Sequence, residues 1–405
     1  MSAKIPSDQF VLYAFSGDPG DLDTVLAGLR ERARACADLR VRIADDSLLR
    51  YPRWVSAGVD PAQFVTHRPG LDWPGCLDAV AALTGDQLDP TVAAWRLHLY
   101  GEVSGAPRSP APVTVAVLQI AHALADGLRA AQLAGWLFGR DEPVVPISAP
   151  RPGHLLPAGL AAARAQRQLD ADIAAGSVPA PAPSRPVLFT NTRPAGAVRI
   201  RTFVRRRDEL PPGPTVTVVA LAAIGRVLAA LLRERGTDAD LLGAEVPMAH
   251  SGIRDAHNHF RNVGVGLYAD VSRGEQRERI GRDLRDARAR GAHPAVAVQR
   301  RALAATPAPL VRWGVRMFDP DIRAAMVTGN TVVSSVNRGA ADLRLGAATV
   351  SLTASYPALS PMMGLTHGVH GIGDTVAISV HAADSALCGD GAVDDYVARL
   401  EAALS

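Results

Sequence analysis

The sequence predicts a two-part α/β chain in which two halves of alternating helices and strands are joined by a linker. Helical and strand patterns alternate up to about residue 140 and again beyond residue 187, while the segment between them is rich in proline. With 405 residues, the chain is long enough for two domains of ordinary size, each with its own core. We therefore divide it into an N-terminal subdomain (1–140), a crossover linker (141–186) and a C-terminal subdomain (187–405).

In the first half, an apolar run from Phe10 to Phe15 predicts the opening strand, and Asp21 can cap the helix that follows it. The run Val113–Ile120 is short, β-branched and almost continuously apolar, which is typical of a strand buried on both faces. Apolar residues at helical spacing come next, so we expect a helix to begin near Asp126 or Gly127.

Beyond the first half, two clusters of prolines flank an Ala- and Arg-rich stretch, 158–175, which predicts an exposed helix within the linker. The second half begins with a predicted strand, Val198–Val204, and a long apolar helix, Thr215–Arg235. The Arg-rich stretch Glu275–Arg301 is predicted to be helical with a solvated face. The remaining predicted elements are strands at 241–247, 263–271, 331–336, 347–352 and 375–381 and a final helix at 393–404.

The chemistry is concentrated in a His-x-x-x-Asp-Gly cluster, His122 to Gly127, at the end of the buried strand. A histidine at a strand end is held rigidly, and a neutral imidazole can accept a proton from a hydroxyl or an amine. Asp126 can fix the turn or pair with an arginine from elsewhere, and Gly127 allows backbone or substrate to approach closely. The alternative is that His122 and Asp126 form an ordinary polar pair at a helix start, because short motifs also occur by chance.

This cluster resembles the His-His-x-x-x-Asp-Gly signature of the CoA-dependent acyltransferases, the superfamily of chloramphenicol acetyltransferase and peptide-synthetase condensation domains. Within it, the sequence is most similar to the bacterial wax ester synthase/diacylglycerol acyltransferase family. His122 stands where the family has its general base, and Ala121 replaces the first histidine. The resemblance implies two chloramphenicol-acetyltransferase-like subdomains, each a mixed β-sheet flanked by helices, with the active-site channel between them.

Further segments carry the resemblance along most of the chain, although several motifs are degraded. Leu88-Asp89 followed by Trp95 is similar to a Leu-Asp…Pro-Leu-Trp-Glu segment. In the segment Thr215–Val219, Thr217 and Val218 replace the family's Asn-Asp pair. The segment Val333–Gly339 stands in the place of Ser-Asn-Val-Pro-Gly-Pro, and Gly364 to Asp384 resembles the family's last strands.

The resemblance implies that His122 accepts the proton of an acceptor hydroxyl while the oxygen attacks the thioester of an acyl-CoA, with Asp126 as an organiser. Acyl-CoA is then a co-substrate, and we expect no metal and no other cofactor. The implied products are wax ester or triacylglycerol, formed from a long-chain acyl group and a lipid alcohol or diacylglycerol. Two alternatives stay open: a glycolipid, polyketide, amine or carrier-bound acceptor, or a catalytically weak lipid-binding homologue. Candidate channel residues, each of which could instead be structural, are Ala121, Thr217, Asn262, Ser334 and Ser335.

Bulk properties agree with a cytoplasmic enzyme. The net charge of +3 does not indicate a surface that binds nucleic acid. Cys36, Cys76 and Cys388 are far apart, which indicates a reducing compartment and no disulfide framework. We expect no signal peptide, because residues 1–6 lack an apolar h-region. We also expect no transmembrane segment, since the most apolar stretch, 216–232, contains Arg226. Peripheral contact with a membrane or lipid droplet is expected because the implied substrates would be dissolved in lipid.

Competing motifs are weaker. His257-Asn258-His259 could suggest metal chemistry, but no cysteine or carboxylate set completes a site, so we interpret it as a polar loop. His367 and His370 would face opposite sides of an extended segment, which argues against shared ligation, so we interpret both as structural. Gly264-Val265-Gly266 lacks the third glycine and the helix of a dinucleotide fingerprint.

Overall fold

The computed structural model describes residues 4–148, 153–389 and 391–405. The helices are α1 Leu22–Ala35, α2 Trp73–Leu83, α3 Gly127–Leu137, α4 Leu155–Ala174, α5 Val216–Glu234, α6 Arg273–Ala292, α7 Pro294–Ala304, α8 Ala308–Met317 and α9 Ala392–Ala403. The strands are β1 Gln9–Ser16, β2 Val41–Ala44, β3 Arg53–Ser56, β4 Phe64–His67, β5 Trp95–Val103, β6 Val113–Ile120, β7 Arg185–Pro186, β8 Val198–Arg206, β9 Gly243–Ala249, β10 Phe260–Gly266, β11 Met326–Val327, β12 Thr331–Asn337, β13 Arg344–Leu345, β14 Ala348–Ser355, β15 Leu365–Ile372 and β16 Thr375–Ala383.

Two six-stranded sheets organise the chain. The first has the strand order β13-β14-β1-β6-β5-β4, and the second has the order β10-β9-β12-β15-β16-β8. Both sheets are mixed, because β4 runs parallel to β5 and β12 runs parallel to both β9 and β15, whereas the other neighbours are antiparallel. The predicted fold class, two mixed sheets flanked by helices, is confirmed.

The two sheets do not divide the chain entirely at the linker. Strands β13 and β14, residues 344–355, belong to the first sheet, where β14 pairs antiparallel with β1 from Val11↔Ser355 onward. The predicted division assigns these residues to the C-terminal subdomain. The polypeptide therefore returns from the second half to complete the sheet of the first half.

Strand β6 forms the centre of the first sheet, and each of its residues is buried. One face of the sheet packs with α1 and α3, and the other face packs with α2. Because both faces are covered by helices, the sequence of this strand has no polar alternation. The helix that follows is capped by Asp126 and begins at Gly127, as the spacing predicts.

Helix α5 lies at the centre of the second core, against β9, β10, α6 and α9. Among the described residues it is the one helix long and apolar enough to cross a membrane, and 67% of its most apolar window is buried inside the protein. Arg226, which interrupts the apolar pattern, donates hydrogen bonds to the Gln276 side chain and the Val271 carbonyl. The apolar side chains of α5 are thus used in packing the second core.

The prediction of a helix over Glu275–Arg301 is wrong in one respect, since the helix is interrupted. Helix α6 ends at Ala292, and α7 begins at Pro294 after His293. Proline has no N–H and cannot continue the hydrogen-bond ladder of α6, but it fits the first position of a new helix. Helix α8 follows directly and was not predicted, because it is short and its apolar residues are exposed.

The linker helix α4 is exposed as predicted, and none of its described side chains is buried. It packs alongside α7, where Gln299 donates to Gln166 and His293 lies 3.1 Å from a carboxylate oxygen of Asp172. These contacts tie the linker to the second half of the chain.

Candidate active site

A split between two strands of the second sheet provides the site. In the described chain, β9 and β12 pair at Thr331↔Ala244 and Val332↔Glu245 and then diverge. Each strand keeps its other neighbour, β10 for β9 and β15 for β12. A cavity of about 1000 Å³ occupies the gap and extends to the first sheet, so that residues of both halves line it.

His122 stands on the cavity wall in the turn between β6 and α3. Its Nδ1 atom lies 3.1 Å from the carbonyl oxygen of Ala125. A carbonyl oxygen can only accept, so we infer that Nδ1 carries the proton and that Nε2 is the basic nitrogen. No hydrogen bond to Nε2 occurs within the described residues. The ring stacks on Phe260 at 5.5 Å and 6°, which fixes its plane.

Gln9 of β1 supports the same arrangement from the first sheet. Its side-chain nitrogen donates to the Ala125 carbonyl and lies 3.2 Å from Nδ1 of His122. The Ala125 carbonyl oxygen therefore accepts from both the Gln9 nitrogen and Nδ1 of His122 and holds the imidazole at Nδ1. This contact lies outside the motif, and no sequence pattern indicates it.

Asp126 points away from the imidazole and into a buried ion pair. It accepts hydrogen bonds from Arg254 at 2.8 and 3.1 Å, from the Arg129 amide at 2.9 Å and from the His259 amide at 2.8 Å. Burial alone would raise the pKa of Asp126, but these hydrogen bonds and the Arg254 charge hold it below its ordinary value. The ionised carboxylate thus caps α3 and clamps the two halves together.

The polar loop around His257 contacts the same turn as the Asp126–Arg254 ion pair. Asn258 donates to the His122 carbonyl, and Nδ1 of His257 lies 2.8 Å from the Leu124 carbonyl. In the part of the chain that the structure describes, no group of three His, Cys, Asp or Glu side chains could hold a metal ion. The loop instead fixes the turn that carries His122, a role that sequence reasoning missed although the cluster of polar residues was visible.

The predicted channel residues fall into two groups. Thr217, Asn262, Ser334 and Ser335 line the cavity, as does Gly127 of the motif, whereas Ala121 is buried and is not among the lining residues. A side chain at Gly127 would place its Cβ 3.3 Å from Val336, so glycine permits a close approach of the two halves here. Thr217, at the start of α5, and Ser335 of β12 have their hydroxyl oxygens 2.8 Å apart.

The split allows the cavity to reach both faces of the second sheet. Side chains alternate between the faces along a strand. On β9 and β12, Ala244 and Val333 belong to the core with α5 and α6, so Glu245 and Ser334 face the opposite side. We call the part of the cavity bounded by 214–218 and by α6 the helix-side arm. The part bounded by Glu245, Asn262, Ser334 and the loop 355–360 is the loop-side arm.

The two arms carry opposite charge. Arg285 and Arg288 line the helix-side arm, and among the described residues neither forms a hydrogen bond or an ion pair. Arg279 and Arg282 of the same helix, by contrast, pair with Glu275 and Glu278. The N-terminus of α5, capped by Thr215, adds a partial positive charge.

In the loop-side arm the charged group is the carboxyl of Glu245, which accepts a hydrogen bond from Asn262. Burial raises the pKa of Glu245, and the Asn262 hydrogen bond opposes part of that increase. The cavity is therefore basic at one end and acidic at the other.

The fold is that of solved acyltransferase and condensation-domain structures. The chain is similar to the wax ester synthase/diacylglycerol acyltransferase from Marinobacter aquaeolei VT8, with 18% identity, a TM-score of 0.61 and coverage of 99% of this chain and 94% of that chain. No model of a protein family matches the sequence, and no curated protein matches it.

Condensation domains of peptide synthetases share the fold. The first condensation domain of the CDA synthetase has 14% identity and a TM-score of 0.59, covering 98% of this chain and 90% of that chain. A variant starter condensation domain of rhizomide synthetase, in complex with C8-CoA and Leu-SNAC, has 13% identity and a TM-score of 0.57, covering 98% and 88%. The fold that the sequence resemblance implies is thus confirmed.

Proposed function

We propose that this protein is an acyltransferase that moves an acyl group from an acyl-CoA to an acceptor hydroxyl or amine, with His122 as general base. The observation that carries the proposal is the geometry of His122. Its Nδ1 is held by the Ala125 carbonyl, which leaves Nε2 free of that contact, and the residue lines a cavity to which both halves of the chain contribute. General-base assistance of this kind contributes roughly 10²- to 10⁴-fold.

The proposed reaction proceeds in two steps. Nε2 of His122 removes the proton of the acceptor while the acceptor atom bonds to the thioester carbonyl carbon, and the electron pair of the carbonyl moves to its oxygen. When that pair returns, the C–S bond breaks and the departing thiolate takes the proton from Nε2. The hydroxyls of Thr217 and Ser335 are our candidates for donors to the developing oxyanion, and Asp126 positions the turn.

The charge of the helix-side arm supports its use by the acyl donor. CoA carries several phosphate groups, and guanidinium groups are well suited to bind them. Arg285 and Arg288 are free for such contacts in the described structure. The thioester would then reach His122 through the split between β9 and β12.

For the acceptor we propose a lipid alcohol or a diacylglycerol, which would give a wax ester or a triacylglycerol. Apolar side chains on the cavity wall, including Met248, Phe260 and Leu359, support a lipid. One observation favours a second candidate, an acceptor with a polar or amino headgroup, and this is the carboxyl of Glu245 in the loop-side arm. The alternative of a lipid-binding homologue predicts binding of both partners without turnover.

The function is tested by thiol release from decanoyl-CoA with a panel of alcohol and amine acceptors, with the acylated product identified by mass spectrometry. In the Arg285→Ala/Arg288→Ala variant, we expect KM for decanoyl-CoA to rise about tenfold, since two partly exposed charge-assisted contacts contribute roughly 1.4 kcal/mol together. We expect kcat to stay unchanged. A decanoyl thioester of N-acetylcysteamine, which lacks phosphates, should show no change in KM.

The matched control is Arg282→Ala, on the same helix but paired with Glu278 and not among the residues that line the cavity. It should leave KM for both donors unchanged. An equal rise in KM for both donors would contradict phosphate binding by the arginine pair. Absence of product with every acceptor, despite donor binding, would contradict the proposed function and favour the lipid-binding homologue.

We further propose that the protein is cytoplasmic and makes peripheral contact with an anionic lipid surface through α8. One face of α8 carries Leu310, Trp313 and Met317, which are 53%, 65% and 66% exposed. The exposed Leu48 and Leu49 belong to a loop that Arg312 holds beside α8 through the Ser47 and Arg50 carbonyls. Exposed aromatic and aliphatic residues flanked by arginines are typical of helices that lie in a membrane interface.

We expect Trp313→Ser to reduce binding to phosphatidylglycerol-rich vesicles by about tenfold in a sedimentation assay, because a membrane contact of roughly 1.4 kcal/mol or more is lost. The control Leu156→Ser, at an 80% exposed position on α4, should bind as well as the unsubstituted protein. Equal loss in both variants, or no loss in Trp313→Ser, would contradict docking through α8.

A further inference from the structure

We infer that the loop-side arm binds an acceptor with two functional groups, a nucleophile at His122 and a second hydrogen-bonding group, hydroxyl or amine, at Glu245. This inference rests on the proposed function and names the acceptor class. Such a site would restrict the acceptor to molecules with an apolar chain and a polar group at the end distant from His122.

The position of Glu245 in the fold is the first argument. It occupies the last position at which β9 pairs with β12, so its side chain lies where the split begins. The side chain faces away from the core of α5 and α6 and lines the loop-side arm. The carboxyl therefore marks the inner end of that arm.

The second argument is the set of partners. Among the described residues, the hydrogen bond to the Glu245 carboxyl comes from the Asn262 amide, and no arginine, lysine or histidine forms an ion pair with it. Glu245 is half-buried, and a partly desolvated carboxyl without a cation is stabilised by further hydrogen bonds that compensate for its lost hydration. An amine or a hydroxyl on a bound molecule would supply such a bond.

The third argument concerns the rest of the arm. Near Glu245, the wall includes Pro247, Val332 and Leu359, which are apolar. A simple hydrocarbon chain would satisfy these residues but would displace water from the half-buried carboxyl and leave it with Asn262 as its one hydrogen-bond donor among the described residues. Sites with a buried polar group reject analogues that cannot pair with it, so a chain without a second polar group should bind less tightly.

The register of β9 gives the distance between the two groups. Ala249 pairs with Phe260, which stacks on His122, and Glu245 lies four residues earlier on the same strand. At about 3.3 Å per residue, the strand separates the two ends by roughly 13 Å. A dodecane chain with a hydroxyl at each end is longer than this when fully extended and reaches this distance when the chain is bent.

The charge difference between the arms also assigns the direction of approach. The phosphates of an acyl donor would be attracted by Arg285 and Arg288 and would find no cation beside Glu245 among the described residues. The donor and the acceptor would therefore reach His122 from opposite faces of the second sheet.

The experiment compares dodecanediol, with a hydroxyl at each end, and dodecanol as acceptors for decanoyl-CoA. We expect kcat/KM for the diol to exceed that for dodecanol by about tenfold or more. In Glu245→Ala the ratio should fall close to two, the statistical factor for a molecule with two equivalent hydroxyls, whereas Glu245→Gln, which keeps a hydrogen-bonding side chain, should retain part of the preference. Glu234→Gln, a surface carboxyl that pairs with Arg399, is the matched control and should keep the full ratio.

A binding measurement separates this inference from the proposed function. Isothermal titration of the same proteins with both alcohols, in the absence of donor, should show tighter binding of the diol that depends on Glu245. Turnover of both alcohols without preference, and with no effect of Glu245→Ala, would overturn the inference while the proposed function stands. Diol-selective binding without turnover would support the polar site and overturn the proposed function. Thermal unfolding of each variant excludes loss of folding as the cause.

Discussion

Substitution of His122 by alanine is expected to lower kcat for acyl transfer by about 10²- to 10⁴-fold. The variant loses the nitrogen that accepts the acceptor proton. Binding of the acyl donor should remain, since the substituted side chain contributes one half-buried ring to a large cavity. The measurement is the rate of thiol release at saturating acceptor, with donor affinity from titration.

The matched control for His122→Ala is His154→Ala. His154 is exposed and stands before the first residue of α4, where its side chain makes no capping hydrogen bond. It should retain the rate of the unsubstituted protein. Full activity of His122→Ala would refute its role as general base. A loss of activity together with a lower unfolding temperature would assign the effect to folding, so we expect that temperature to change little.

Asp126→Ala should lower the free energy of unfolding by about 3–5 kcal/mol, because it leaves Arg254 buried without its partner. The same change removes the cap of α3. Urea denaturation provides the measurement.

The folded-state pKa of Asp126 lies below its ordinary, unfolded-state value. Its stabilising contribution is therefore fully present above the ordinary value and is lost as pH falls through the folded-state pKa. Asp126→Asn should therefore differ most from the unsubstituted protein near neutral pH and least in strong acid.

Asp21→Ala is the control for the ion pair between Asp126 and Arg254. Asp21 caps α1 through the same type of backbone hydrogen bond, to the Thr24 amide at 2.9 Å, but it is exposed and has no ion pair in the described structure. Its loss should cost only about 1 kcal/mol. Equal effects of the two substitutions would show that Asp126 acts as a cap alone. In the Asp126→Ala/Arg254→Met variant, a smaller loss than the sum of the single changes is expected, since the two side chains interact directly.

The part of the site that could be predicted from sequence is the part built from neighbouring residues. Strand β6, its turn and the start of α3 follow from an apolar run and a capping aspartate within a short segment. The partner of Asp126 could not be predicted, because Arg254 lies 128 positions away among many arginines.

The split between β9 and β12 could not be predicted from the sequence either. Both strands look like ordinary apolar strands, and their divergence depends on which neighbour each strand keeps. The opposite charges of the two arms arise from this divergence, since Glu245 and Arg285 are 40 positions apart on different elements. Their relation to the cavity emerges only from the assembled sheets.

The return of β14 to the first sheet has a consequence for how the protein is made. Strand β1 begins at residue 9, but the neighbour on one of its sides is not synthesised until residue 355 has left the ribosome. Until then β1 presents an unpaired edge, the kind of surface at which nascent chains associate wrongly. Synthesis of the chain through residue 355 must therefore precede closure of its first sheet.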